Sequence, residues 1–240
     1  MIYIFIGLLI FVAIVFTLMN TAIKDRKFVC NKYILNTYLY VILSFIIIGL
    51  HILILEAKKV VFVPKLGLFL LMFLLLLVLI GFMYYIPSES LILKHFVWFI
   101  FMIILATLFY PLYLMTSGQN IIPSAILTTL ILFILLSLIA YINPNIISFK
   151  AGPILLALLF IVIIFELSML FFARGNVSWL WRASSYFVIL LFSAYIIYDT
   201  KRLQHNAKQC VRADYITESL HLFLDIYNIF IRVLTLGFRF

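Results

Sequence analysis

Eight apolar stretches follow one another along the chain, at roughly 2–19, 33–55, 66–86, 95–116, 121–142, 151–172, 183–199 and 215–236, with only short polar or proline-containing breaks between them. Each is close to the ~20 residues that an α-helix needs to cross a bilayer. The seventh is short and ends in the polar run YDTKR, and the eighth is interrupted by ionisable residues. Hydropathy therefore marks these two less strongly than the other six. The expected fold is all-α: a polytopic transmembrane bundle of about eight helices, with no soluble domain. Composition agrees, since 68% of the 240 residues are hydrophobic, 10% are charged and the mean hydropathy is +1.30. An aqueous fold of this size has too little interior for so much apolar side chain. A soluble enzyme, a secreted module and a disordered tail are thereby excluded.

The stretch 2–19 carries no basic n-region and no small-residue cleavage site, so it is expected to be retained as a helix rather than removed as a signal peptide. It is apolar all round, with Thr17 as its polar position, and is expected to pack peripherally against lipid or a partner subunit. The chain has 17 Lys and Arg against 8 Asp and Glu. These cations are spread through the breaks rather than gathered on one face, which argues against nucleic acid and for a role in topology. Lys24, Arg26, Lys27, Lys32, Lys94, Lys150, Lys201, Arg202, Lys208 and Arg212 fall in the odd-numbered breaks. Lys58, Lys59, Lys65, Arg174 and Arg182 fall in the even ones, so the count is ten against five. This places the odd loops on the cytosolic or matrix side and both termini opposite. Cys30 and Cys210 stand far apart without metal spacing or a nucleophile's partner, and are expected to be free structural thiols. With 25 Phe, 14 Tyr and only 8 Gly, the composition favours AT-rich codons, a pattern shared by organelle genomes, AT-rich microbes and viruses.

Ionisable groups inside membrane helices cost about 2.5–3.5 kcal/mol each on insertion scales and are functional candidates by default. Glu218, His221, Asp225, Asn228 and Arg232 are spaced 3, 4, 3 and 4 apart, which puts all five on one helical stripe. A stripe of this kind cannot face lipid, so the last helix is expected in the interior of the bundle. Asp225, near mid-helix, needs a proton, a cation or a specific partner. Asp199 is expected at the end of the seventh helix, where a negative charge opposes the helix dipole and Lys201 and Arg202 follow at once. Glu166, in IIFELSML, is a further intramembrane acid that belongs either to a paired core or to an ion path.

The segments LLFSAYIIYDTKRL and DYITESLHLFLDIYNIFIRVL resemble the last two helices of the Bax inhibitor 1 family, also called the transmembrane Bax inhibitor motif family. The matching positions are Tyr198, Asp199 and Thr200, then Leu224, Asp225, Ile226, Asn228 and Phe230. Upstream, RKFVCNKYILNTYLYVIL is similar to the family's entry into its first helix and IIPSAILTTLILFILLSLIAY to its fourth. The resemblance covers about residues 26–236 and is most specific in its C-terminal third. It implies a seven-helix core over 26–236 with a central last helix; the additional helix over 1–20 departs from the family pattern, and the whole is expected to form a single membrane domain.

The resemblance also implies that Asp199 and Asp225 form a proton-sensitive pair gating a leak of calcium or protons. Two neighbouring carboxyls in a low dielectric titrate as one coupled unit. Two carboxylates alone, when calcium takes six to eight oxygens, mean weak and transient calcium binding, with no resident cofactor. The family often supplies a basic residue to this pair from an early helix, but 66–86 contains no Lys, Arg or His, and His51 is the nearest candidate. The leading expectation is thus a pH-sensitive calcium or cation leak, or a regulator of membrane ion homeostasis. The alternative is a structural subunit of a larger organellar assembly, such as a respiratory complex, with other membrane subunits as partners. An enzyme is not expected, because there is no Ser/His/Asp order, no H-E-x-x-H and no paired metal-ligand motif. Expected surroundings are membrane lipids in an organellar membrane, with the mitochondrial inner membrane favoured over the endoplasmic reticulum.

Overall fold

A computed structural model describes residues 2–172 and 178–237. Among these residues eight helices are long and apolar enough to cross a membrane. They are α1 (Ile2–Thr21), α2 (Tyr33–Ala57), α3 (Leu66–Tyr85), α4 (Leu91–Thr116), α5 (Ile121–Ile142), α6 (Ala151–Phe172), α7 (Ser178–Lys208) and α8 (Tyr215–Gly237). The protein is a polytopic all-α membrane bundle. Between α1 and α2 the chain forms a small hairpin of β1 (Ile23–Lys24) and β2 (Lys27–Phe28), paired Ile23 to Phe28 and Lys24 to Lys27. Its two-residue turn places Asp25 at φ 50° and Arg26 at φ 59°, the left-handed geometry that tight hairpins require.

Helix boundaries depart from the hydropathy reading where polar residues continue a helix. α7 does not stop at Asp199 but runs nine residues further, to Lys208. Lys201 donates from Nζ to the carbonyl of Ile147 at 2.6 Å, and Leu203 is buried, so this polar extension is anchored although it is not apolar. Asp199 is therefore inside the helix and not at its C-terminus. Lys201, Arg202 and Lys208 belong to α7 rather than to a loop. Lys94 likewise is no loop charge. It lies in the first turn of α4, only 1% exposed, where Nζ donates to the Ile86 carbonyl at 3.1 Å and is ion-paired with Asp214. Arg174, counted among the even-loop charges, lies outside the described residues.

The expectation of two free thiols is overturned, because Cys30 and Cys210 form a disulfide across 180 residues of sequence, with Cα atoms 5.9 Å apart. Their segments are brought together by Tyr215, whose hydroxyl donates to the carbonyls of Val29 and Asn31. Sequence spacing carries no information about that convergence.

The contacts divide the chain into two compact units: residues up to Met115 with Ala207–Leu220, and Thr116–Asn206 with the chain from His221 onward. In the first, Phe28, Tyr33, Tyr40 and Tyr215 form an aromatic cluster. His95 joins it: Nδ1 donates to the Leu91 carbonyl at 2.7 Å, which leaves Nε2 to accept from the Tyr40 hydroxyl at 2.8 Å. Such buried polar groups are retained only when bonded. α1 is mostly exposed along this unit, with Ile14 and Leu18 the buried ones among its described side chains. A helix without a polar face has nothing to satisfy in an interior and leaves its side chains to lipid. In the second unit, Leu155, Val162, Val188, Leu191, Phe192, Ile196 and Ile229 form the core.

α8 contributes to both units, and from Tyr215 through Leu236 none of its residues is exposed. A membrane helix with all faces covered can carry a polar stripe that a lipid-facing helix cannot.

Candidate functional site

Asp199 on α7 and Asp225 on α8 meet in the second unit, their carboxyl groups close enough to interact with one another. They are 6% and 3% exposed. An ionised carboxylate only accepts hydrogen bonds, so two buried carboxyls can bond to one another only when one of them carries a proton. Oδ2 of Asp225 is fully buried and has no hydrogen-bond partner among the described residues. The hydroxyl of Tyr195, one helical turn before Asp199 and close enough to feel both carboxylates, is likewise buried and unpartnered. Unsatisfied buried oxygens are rare in native structures and mark places where a proton, water or cation is taken.

One turn beyond Asp199 the guanidinium of Arg202 lies 4.0 Å from the Asp199 carboxylate. It also donates from Nη2 to Nε2 of His221 at 3.1 Å. His221 accepts that bond only as the neutral imidazole with its proton on Nδ1. Sequence reading found no base on 66–86. Here the base beside the pair comes from α7 itself, one turn from the acid it neighbours. His51 hydrogen-bonds Thr107 at 3.1 Å in the first unit.

The remaining members of the α8 stripe have separate engagements. Arg232 donates to Glu166 at 2.5 Å, and Ser184 donates to the other oxygen of Glu166 at 2.7 Å. Glu166 is thus a paired residue of the second unit. Asn228 donates to the Leu224 carbonyl of its own helix at 2.8 Å. Glu218 lies near Tyr33 in the first unit. The spacing of the stripe was legible, but its division among partners was not, because partner identity depends on which helices are neighbours.

Sequence reasoning missed two features. Asp214 caps α8, accepting from the Thr217 amide at 3.2 Å and the Thr217 hydroxyl at 2.9 Å while paired with Lys94. The Asp-x-x-Thr pattern just before an apolar run was the available signal. Tyr195 carries no signal beyond its spacing of four residues from Asp199, whereas Arg202, three residues after Asp199, is legible as its neighbour. Among the described residues no group of three or more His, Cys, Asp or Glu could hold a metal ion.

Similarity to known proteins agrees with this anatomy. The family model described as "Inhibitor of apoptosis-promoting Bax1" matches residues 30–239. Protein LIFEGUARD 4 of Arabidopsis thaliana is 32% identical over 122 residues, 50% of this chain and 47% of that protein. The BI1-like protein of Arabidopsis thaliana is 35% identical over 127 residues, 50% of this chain and 45% of that protein. The chain spans about half the length of the relatives it matches. With the match extending through both helices that carry the acid pair, the chain belongs to the Bax inhibitor 1 family.

Proposed function

We propose that this protein is a pH-sensitive cation leak, with calcium as the principal cargo, gated by the Asp199–Asp225 pair in an organellar membrane. The observation that carries the reading is the buried Oδ2 of Asp225, without a partner among the described residues and beside the Asp199 carboxyl. With one proton shared, a hydrogen bond between the two carboxyls ties α7 to α8. Loss of that proton leaves two carboxylates in a low dielectric, where they repel each other unless a cation enters. Two carboxylates and the Tyr195 hydroxyl give fewer oxygens than the six to eight that calcium prefers, so water completes the shell and residence is short. A site of that kind favours passage over storage.

The sign of the pH dependence follows. The shared proton is present at low pH and the path is closed; as pH rises the proton leaves and flux increases. Calcium flux into proteoliposomes containing the full chain, measured between about pH 6 and 8, should rise with pH. Asp225→Asn should abolish the pH dependence and Asp199→Asn should shift or remove its midpoint. Absence of flux throughout this range, or identical profiles for wild type and both variants, would remove the leak. A structural role in a larger membrane assembly would then be the better reading.

A further inference from the structure

The Cys30–Cys210 disulfide lies among the chain's basic juxtamembrane residues. Lys24, Arg26, Lys27 and Lys32 flank Cys30, and Lys208 and Arg212 flank Cys210. Such a density of Lys and Arg assigns these segments to the cytosolic or matrix side, where thiols are kept reduced. A permanent staple belongs to an oxidising compartment, whereas a bond on this side persists only if it opens and closes with the thiol pool. Cys30 is exposed and Cys210 half-buried, so a soluble thiol can reach the bond.

We propose that Cys30 and Cys210 are a reversible thiol–disulfide modification site, opened by a soluble dithiol reductant and closed by glutathione disulfide. In opening, a thiolate of the dithiol attacks the Cys30 sulfur. A mixed disulfide forms and Cys210 leaves as a thiolate that takes a proton. The reductant's second thiol then attacks its own mixed-disulfide sulfur and releases Cys30. Two electrons pass to the protein, which ends with two thiols, and the reductant ends as a disulfide. In closing, one protein thiolate attacks glutathione disulfide and the second displaces glutathione, releasing two molecules of glutathione in all.

The bond controls residues 209–214, the short connection between α7 and α8. When it opens, Asp214 is still paired with Lys94 and Tyr215 is still bonded to the Val29 and Asn31 carbonyls. The first turn of α8 therefore stays in place while the residues around Cys210 are released. This inference stands apart from the leak reading.

The test uses the full chain in lipid nanodiscs, where Cys30 and Cys210 are the chain's two cysteines. Polyethylene-glycol maleimide counts the free thiols as gel shifts. Glutathione disulfide should give no adducts, and a thioredoxin-class dithiol or a predominantly reduced glutathione buffer should give two without detergent, reversibly. Trypsin cleavage at Lys208 and Arg212 should accelerate about tenfold on reduction, as expected for local opening. In Cys30→Ser and Cys210→Ser the cleavage rate should be high and indifferent to reductant. Should either variant fail to fold, labelling and proteolysis of the wild type decide alone. The proposal is overturned if glutathione disulfide forms no bond, if reduction requires detergent or a reductant stronger than the glutathione pool, or if reduction leaves the cleavage rate unchanged.

Discussion

Replacing Lys94 with Met separates the contribution of one buried ion pair from ordinary packing. Lys94 is 1% exposed and holds two acceptors, the Ile86 carbonyl and the Asp214 carboxylate. Met preserves much of the apolar stem but leaves both acceptors without their donor. A hydrogen bond to a charged group contributes about 1.5–3 kcal/mol and an orphaned buried carbonyl costs about 1–3 kcal/mol. Asp214 is 28% exposed and keeps two bonds from Thr217, so water and the cap offset part of its loss. The expected destabilisation is about 3 kcal/mol, the lower end of what breaking a buried pair costs.

Asp214→Asn retains an N-cap acceptor but strips the buried ammonium of its counter-charge, at a cost of about 3 kcal/mol. The double variant removes both charges and should be less destabilised than the sum of the singles by about 1.5–2 kcal/mol, within the range measured for residues in direct contact. The assay is unfolding of the full chain in mixed detergent micelles, followed by circular dichroism, as a double-mutant cycle. Additive single effects would mean that the pair is not coupled, and the account of how α8 is anchored at its first turn would be wrong.

Arg232→Met removes the cationic partner of Glu166 and leaves that acid with the Ser184 hydroxyl, at 2.7 Å; the expected loss is about 3 kcal/mol. The same unfolding assay should show Glu166→Gln recovering part of it. Gly152→Ala places a Cβ 2.5 Å from the Tyr198 hydroxyl oxygen and 2.9 Å from its Cζ. Tyr198 must then shift against Phe149, and despite the helix propensity gained the net loss is about 1 kcal/mol, read as a lowered thermal midpoint. Tyr195→Phe removes a buried hydroxyl with no partner among the described residues, so folding should be unchanged or slightly improved. In the flux assay the same variant should slow calcium passage without moving the pH midpoint.

The apolar runs gave the bundle away because a membrane helix must be continuously hydrophobic. α5 and α6 were legible to the residue, at 121–142 and 151–172. α7 was not, because hydropathy reports where lipid is crossed rather than where a helix ends. The segment after Asp199 is polar and still helical. Lys94 was misassigned to a loop for a related reason: a charge at the edge of an apolar run looks like a boundary, whereas its carbonyl and carboxylate partners allow it to be buried. The disulfide, the Arg202–His221 bond and the Glu166–Arg232 pair depend on which segments converge, and no local pattern encodes that. Asp199 and Asp225 were legible as a pair only through the resemblance of their two motifs; the stripe spacing alone identified Asp225 and said nothing of its partner.

Infrared spectroscopy of the full chain in lipid, titrated with pH, tests most directly whether Asp199 and Asp225 share one proton. A protonated carboxyl band should be present in the wild type and disappear as pH rises. Asp225→Asn should remove the band, and Asp199→Asn should change its frequency and its midpoint, because the remaining acid would then bond to an amide. A wild type without a protonated carboxyl band, or a band indifferent to both substitutions, would contradict the shared proton and with it the proposed gate.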